Sequence, residues 1–367
     1  MKRLSLLVKP ASSLCNMRCR YCFYYDVGEH RQIPSYGFMT IPVMRGIIDN
    51  VYRDLEDKDE ITFAFQGGEP TLIGLDWFKQ FTEYAASRQR DVRIHYALQT
   101  NGLLLDDRWG EFLKKNNFLV GLSMDANARL HDQNRLNAGG EGTFGSCLGS
   151  KAMLEKHGVE YNVLCVLTDE LAGEPDKAWR FILNHRIRFI QFIPCLEGLD
   201  GKGKSSFALR PARFAGFYSR LYYWWMKELE KGSYISVKFF DDTANYFFRG
   251  IPSACGIDGR CHSQYVVEAD GSIYPCDFYV LDDYNTGNLT EHTLRELFDT
   301  PRMRDFLLQR PPLPGLCLSC PYLGRCNGGC KRMKDVMYYG SGICGYRLFL
   351  DKCLKALEHT VRKHFPG

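Results

Sequence analysis

Residues 5–24 read SLLVKPASSLCNMRCRYCFY: a short apolar strand, Ser5–Lys9, runs into a loop that sets Cys15, Cys19 and Cys22 in the order CxxxCxxC. Three thiolates at this spacing suit three corners of a four-iron cubane. A cubane has four irons to ligate, so one is left open to chelate a small molecule. The competing reading is a zinc knuckle, yet a closed zinc site takes four ligands and no fourth Cys or His stands nearby. In a parallel βα barrel the chemistry collects at the C-terminal ends of the strands, which is where this loop falls.

Working outward, strand-like runs recur at Ile61–Phe65, Ile94–Gln99, Phe118–Met124, Tyr161–Leu167 and Phe189–Ile193, with a further one expected at Ser236–Phe240. Between them lie helix-length stretches, Val43–Leu55, Leu75–Arg88 and Phe144–His157, with apolar residues at three-to-four spacing. Alternating β and α segments predict an α/β fold, a partial (β/α)6 TIM-like barrel, over residues 1–245. The aromatic run FYSRLYYWWMKEL, Phe217–Leu229, reads as a buried helix face, and Gly198–Ser206 as a mobile surface loop. Past Gly250 the chain turns rich in Cys, Gly and Pro, and nine of its fifteen cysteines follow Ala254. Residues 246–367 are therefore expected to form a small, metal-organised C-terminal domain closed by a helix.

Composition narrows the function classes. Charged residues make up 25% and the net charge is +4, which gives no case for a nucleic-acid groove or an anionic membrane surface. No apolar run is long enough to span a bilayer, and the N-terminus MKRLSLLVKP is charged too early for a secretory signal, so a cytoplasmic location is expected. In a reducing compartment fifteen cysteines, an odd number, point to metal or catalysis and not to a disulfide framework.

The strand ends carry further signals. The second runs into Gln66-Gly67-Gly68-Glu69-Pro70, the third into Gln99-Thr100-Asn101-Gly102, and the fourth into Ser123-Met124-Asp125, with Arg135 in the following loop. A glycine pair lets backbone approach a ligand closely. Behind CxxxCxxC, GGEP resembles the second-strand end of radical S-adenosylmethionine enzymes. Ser123 and Arg135 are suited to ribose hydroxyls and a carboxylate, with Asp125 beside them.

The later cysteines run Cys255, Cys261 and Cys276, then Cys317, Cys320, Cys326 and Cys330, then Cys344. Eight thiols suffice for two four-thiolate clusters; a zinc ribbon is the alternative, because CxxC pairs are also zinc signatures. The whole spacing resembles the twin-cluster SPASM domain of peptide-modifying radical enzymes. By that resemblance Cys255, Cys261, Cys276 and Cys330 hold one auxiliary cluster, and Cys317, Cys320, Cys326 and Cys344 the other. Cys147, Cys165, Cys195 and Cys353 remain, and are expected as buried apolar thiols.

Together KPASSLCNMRCRYCFYY, FAFQGGEPTL, LQTNG, LVGLSMD, CNGGC and YPCDFYVL resemble anaerobic sulfatase-maturating enzymes over nearly the whole chain. The resemblance implies three 4Fe-4S clusters, with Cys15, Cys19 and Cys22 on the radical cluster, and S-adenosylmethionine as cosubstrate contacted at Tyr21, Gly67, Ser123, Arg135 and Leu196. It implies Asp277 as the base, a peptide or unfolded sulfatase as substrate, and a flavodoxin- or ferredoxin-type electron donor. The reaction would be oxidation of a cysteine or serine to Cα-formylglycine. The alternative through the same clusters is a crosslinking enzyme for a natural-product peptide; an electron carrier or zinc-organised binding module has no use for the strand-end motifs. One departure stands out: the family follows its MD with Gly-Pro, where this chain has Ala126-Asn127. Asparagine restores an N–H that proline lacks, so the loop before His131 is expected to take another shape.

Overall fold

The computed structural model describes residues 1–88, 90–200, 205–339 and 342–364. Residues 201–204, within the surface loop expected at 198–206, lie outside them. Ten strands stand among the described residues: β1 Arg3–Val8, β2 Glu60–Phe65, β3 Arg93–Thr100, β4 Phe118–Ser123, β5 Glu160–Leu167, β6 Phe189–Pro194, β7 Ser236–Val237, β8 Val266–Val267, β9 Ser272–Tyr274 and β10 Gly287–Asn288. The chain forms two compact units: 1–123, 132–161 and 263–309 in the first, and 124–131, 162–262 and 310–367 in the second. Each unit thus draws on both the βα segment and the cysteine-rich segment.

In the first unit β1, β2, β3 and β4 pair in parallel, with Val8 opposite Phe65 and Leu98 opposite both Phe65 and Val120. Alternate residues of β1 and β2, Leu6 and Val8, Ile61, Phe63 and Phe65, are buried as a period of two requires. Their inward side chains meet the buried faces of the helices Ile41–Asp54 and Leu75–Ala86; the first of these opens on Thr40, whose side chain accepts from Val43 N. On the other edge of β1 the late strand β8 adds in parallel, Val8 opposite Val267, and β9 and β10 follow as antiparallel ribbons. Asn50 on the first of those helices donates to Leu289 O at 2.8 Å, so the segment 263–309 is built into this core.

In the second unit β5, β6 and β7 are parallel. Strand β7 has only two of the five residues expected at Ser236–Phe240, because helix Lys238–Arg249 begins there and turns Phe240 into its buried face. Helix Pro211–Glu230 buries Phe214, Phe217, Tyr218, Leu221, Tyr222 and Trp225, the three-to-four spacing of a core face. Cys165, Cys195 and Cys353 are buried here, as Cys147 is in the first unit. No helix among the described residues is long and apolar enough to cross a membrane.

Candidate active site

In the first unit the chain leaves β1 at Lys9 and forms the cysteine loop. Gly68 N donates to Ser12 O at 2.9 Å and Glu69 N to Leu14 O at 2.7 Å, so the end of β2 clasps the loop through backbone. The glycines are required by this clasp: a Cβ on Gly68 would stand 2.1 Å from Leu14 O, and Gly67, at φ +123°, would place one 2.8 Å from Ser12 O.

Glu69, buried beside them, accepts from Thr71 N and Oγ1, Thr100 Oγ1 and Asn101 N at 2.6–3.0 Å. Burial raises its pKa against the opposing pull of those four donors. Asn101, fixed in this way, donates from Nδ2 to Asn16 Oδ1 at 2.8 Å, with Cys15 Sγ at 3.8 Å. The carboxylate of GGEP is therefore a tie between two strand ends and the loop.

Five residues are expected against the cosubstrate. Tyr21 and Arg135 come together, the guanidinium carbon 5.6 Å from the ring centroid. Gly67 is buried in the clasp, and Ser123, half-buried at the end of β4, shares its carbonyl with Cys147 Sγ at 3.6 Å. Leu196 lies in the second unit, two residues past β6. There too Asp125 commits Oδ1 to Val166 N at 3.1 Å, which gives it a strand-end role. Asn127 accepts from Leu130 N through Oδ1 and donates to Glu174 at 2.7 Å, so it caps the turn that leads into Leu130.

Asp277 follows Cys276 in a short 3-10 turn of the first unit, and is 6% exposed. Its Oδ2 accepts from Tyr24 OH at 2.7 Å and Gln66 Nε2 at 2.8 Å, and its backbone N–H is held by Gln264. Lys9 Nζ lies 3.8 Å from Oδ1, on the opposite side. Burial pushes the carboxyl above the usual range, with Lys9 and Tyr24 opposing. Tyr24, Gln66 and Lys9 were not singled out by the sequence reading. The available signal was a polar or aromatic residue at the C-terminal end of each apolar strand or its loop.

The thiols are suited to metal. Burial pushes the Cys15 thiol up to about 12, so a cation would have to stand beside it for the thiolate form to dominate. In the second unit Cys317, Cys320, Cys326 and Cys344 form one neighbourhood, with Cys344 raised to about 11 by burial and then by the other three. Cys255, Cys261 and Cys330 form another, with Cys255 also at about 11, while Cys276 belongs to the first unit. No three His, Cys, Asp or Glu side chains among the described residues are drawn together as a single-ion site requires, whereas a cubane spreads its thiolates around a larger body.

The Radical SAM superfamily matches residues 10–175, and SPASM, an iron-sulfur cluster-binding domain, matches 255–321. Parallel body, cysteine loop and second cysteine set define a radical S-adenosylmethionine enzyme with a cluster-binding C-terminal region. The chain is 38% identical to a cysteine-type anaerobic sulfatase-maturating enzyme of Clostridium novyi, covering 99% of this chain and 98% of that one. It is 39% identical to one from Clostridium perfringens, over 91% and 90%. A solved structure of the enzyme anSMEcpe with bound AdoMet matches at TM-score 0.89 and 35% identity, covering 98% of this chain and 99% of that one. The chain belongs to the anaerobic sulfatase-maturating enzyme family.

Proposed function

We propose that this chain oxidises a cysteine in a peptide segment of a sulfatase to Cα-formylglycine, using S-adenosylmethionine and three 4Fe-4S clusters. The observation that carries the reading is a buried carboxylate, Asp277, clamped by Tyr24 and Gln66 in the same unit as the CxxxCxxC loop. Cysteine preference rests on the cysteine-type relatives at 38–39% identity, against 30% for the serine-type enzyme of Bacteroides thetaiotaomicron. A flavodoxin- or ferredoxin-type donor and a cytoplasmic setting complete the proposal.

Cys15, Cys19 and Cys22 would hold the radical cluster, with Tyr21, Gly67, Ser123, Arg135 and Leu196 around its cosubstrate. Cys255, Cys261, Cys276 and Cys330 would hold one auxiliary cluster, and Cys317, Cys320, Cys326 and Cys344 the other. When bound, these groups supply an acceptor for one hydrogen atom from the substrate Cβ and a sink for one electron. Asp277 takes the thiol proton, leaving a carbon–sulfur double bond that water hydrolyses to the aldehyde and hydrogen sulfide. Because this carboxyl titrates above its usual range, it is available as a base only at correspondingly higher pH. Anaerobic reconstitution with a Cys-x-Pro-x-Arg peptide tests the reading: formylglycine with one 5′-deoxyadenosine per turnover supports it, and deoxyadenosine without oxidised peptide rejects it.

A further inference from the structure

The turn that closes β3 delivers a side-chain amide to the cysteine loop. Asn101 is 7% exposed, and each of its polar atoms is committed. Its backbone N–H donates to Glu69 Oε2 at 2.7 Å, and its carbonyl accepts from Cys147 Sγ at 3.4 Å. Its Oδ1 accepts from Leu103 N at 3.0 Å, which fixes the oxygen side of the carboxamide and turns Nδ2 toward the loop. There one N–H of Nδ2 donates to Asn16 Oδ1 at 2.8 Å, and the amide nitrogen stands 3.8 Å from Cys15 Sγ, within reach of the larger sulfur atom.

The backbone around this amide is closed. Ser150 Oγ donates to Gly102 O at 2.7 Å, and a Cβ on Gly102, at φ +84°, would stand 2.9 Å from both Ser150 and Leu122. The turn is therefore clamped between helix Phe144–Lys156 and β4. Cys15 Sγ has a second donor, Met17 N at 3.4 Å, but that one is backbone and comes with the loop itself. Asn101 supplies the donor that a substitution can remove. Tying the strand end to the loop needs only the bond to Asn16; a second hydrogen turned to sulfur has a chemical use when that sulfur carries charge.

We infer that Asn101 is a positioning residue that turns an N–H onto the sulfur of Cys15 and so raises the reduction potential of the cluster that Cys15, Cys19 and Cys22 would hold. The inference rests on that ligand assignment and deepens it. In the step concerned one electron leaves a low-potential carrier, which is oxidised by one electron, and the negative charge gained at the radical cluster is shared with the thiolate sulfurs. An N–H dipole turned to one of them favours the more negative state, as hydrogen bonds to cluster sulfurs do in general. Glu69 acts through Asn101: by accepting its backbone N–H it fixes where the amide points.

The test uses the full chain loaded anaerobically with iron and sulfide. It reads, by potentiometric titration, the cluster whose electron paramagnetic resonance signal changes when S-adenosylmethionine is added. Asn101→Ser keeps a hydroxyl that can accept from Leu103 N but is too short to reach Cys15; Asn101→Leu keeps the shape without polar atoms. Both are expected to retain iron and to move the one-electron equilibrium of that cluster toward the oxidised form by about threefold to tenfold, tenfold being about 59 mV. With a weak reductant, deoxyadenosine release should fall with the reduced fraction, and a stronger reductant should restore it. Asn16→Ala breaks the tie but leaves the donor on sulfur, and is expected to hold the wild-type potential. An unchanged potential in Asn101→Ser with full iron overturns the inference, as does an equal shift in Asn16→Ala or in all three clusters. Should Asn101→Ser lose iron, Asn101→Leu decides by the same readout; loss of iron in both makes Asn101 a structural tie and overturns the inference. A wild type with no iron-sulfur signal that responds to S-adenosylmethionine rejects the ligand assignment instead.

Discussion

At the scale of single residues the site is defined by which polar groups are already committed. Asp277 commits Oδ2 to Tyr24 and Gln66, while its Oδ1 is buried without a hydrogen bond. Asp277→Asn keeps the shape but cannot take a proton. Product formation is expected to fall by about 10²–10⁴-fold while deoxyadenosine release without peptide persists, read by mass analysis and chromatography. Tyr24→Phe removes one of two donors from a buried carboxylate, and about 1–3 kcal/mol of stability should go with it, read from the unfolding midpoint. Glu268 shows the opposite balance from Asp277: burial pushes its pKa up, yet Lys9 and Arg31 outweigh it and hold the carboxyl below its usual range. Its stabilising contribution is therefore present above the ordinary carboxylate pKa and is lost as pH falls through the lowered value. The stability gap between the parent and Glu268→Gln should shrink on acidification.

At the scale of elements, the clasp between β2 and the cysteine loop is the part least tolerant of change. Gly68→Ala forces a methyl onto Leu14 O, and the loop must move away. The expected result is loss of about four irons per chain with the auxiliary thiols still loaded, measured by iron content and spectroscopy. The six principal parallel strands were legible because each is a β-rich run between amphipathic segments, and their ends agree with expectation within one or two residues. Strands β8, β9 and β10 were not, since two or three residues carry no period, and they bring Glu268 beside Lys9. Ser236–Phe240 misled for the converse reason: Phe239 and Phe240 suit a strand, but they open a helix that buries Phe240. The CxxxCxxC loop stood out as a motif because its spacing is local. Lys9, Gln66 and Tyr24 acquire meaning only through pairings that span more than two hundred residues to Glu268 and Asp277.

At the scale of the whole molecule, the late segment 263–309 is part of the first unit's core. Val267, Ile273, Leu289, Leu294, Leu297 and Met303 are buried with Leu6, Phe63 and Ile47. At about 1.5–3 kcal/mol per buried side chain these six contribute roughly 9–18 kcal/mol, comparable with the entire net stability of a domain. A chain ended at Gly250 is therefore expected to be insoluble or rapidly degraded despite containing every predicted barrel strand, as expression and limited proteolysis would show. The family relationship, spanning 99% of this chain, then links that shared core to one reaction. The most direct test is mass analysis of a Cys-x-Pro-x-Arg peptide after anaerobic turnover with S-adenosylmethionine and a reductant. Replacement of the cysteine sulfur by an aldehyde oxygen that hydrazine traps is the predicted result; a peptide that keeps its sulfur, free or in a new crosslink, while deoxyadenosine accumulates would contradict it.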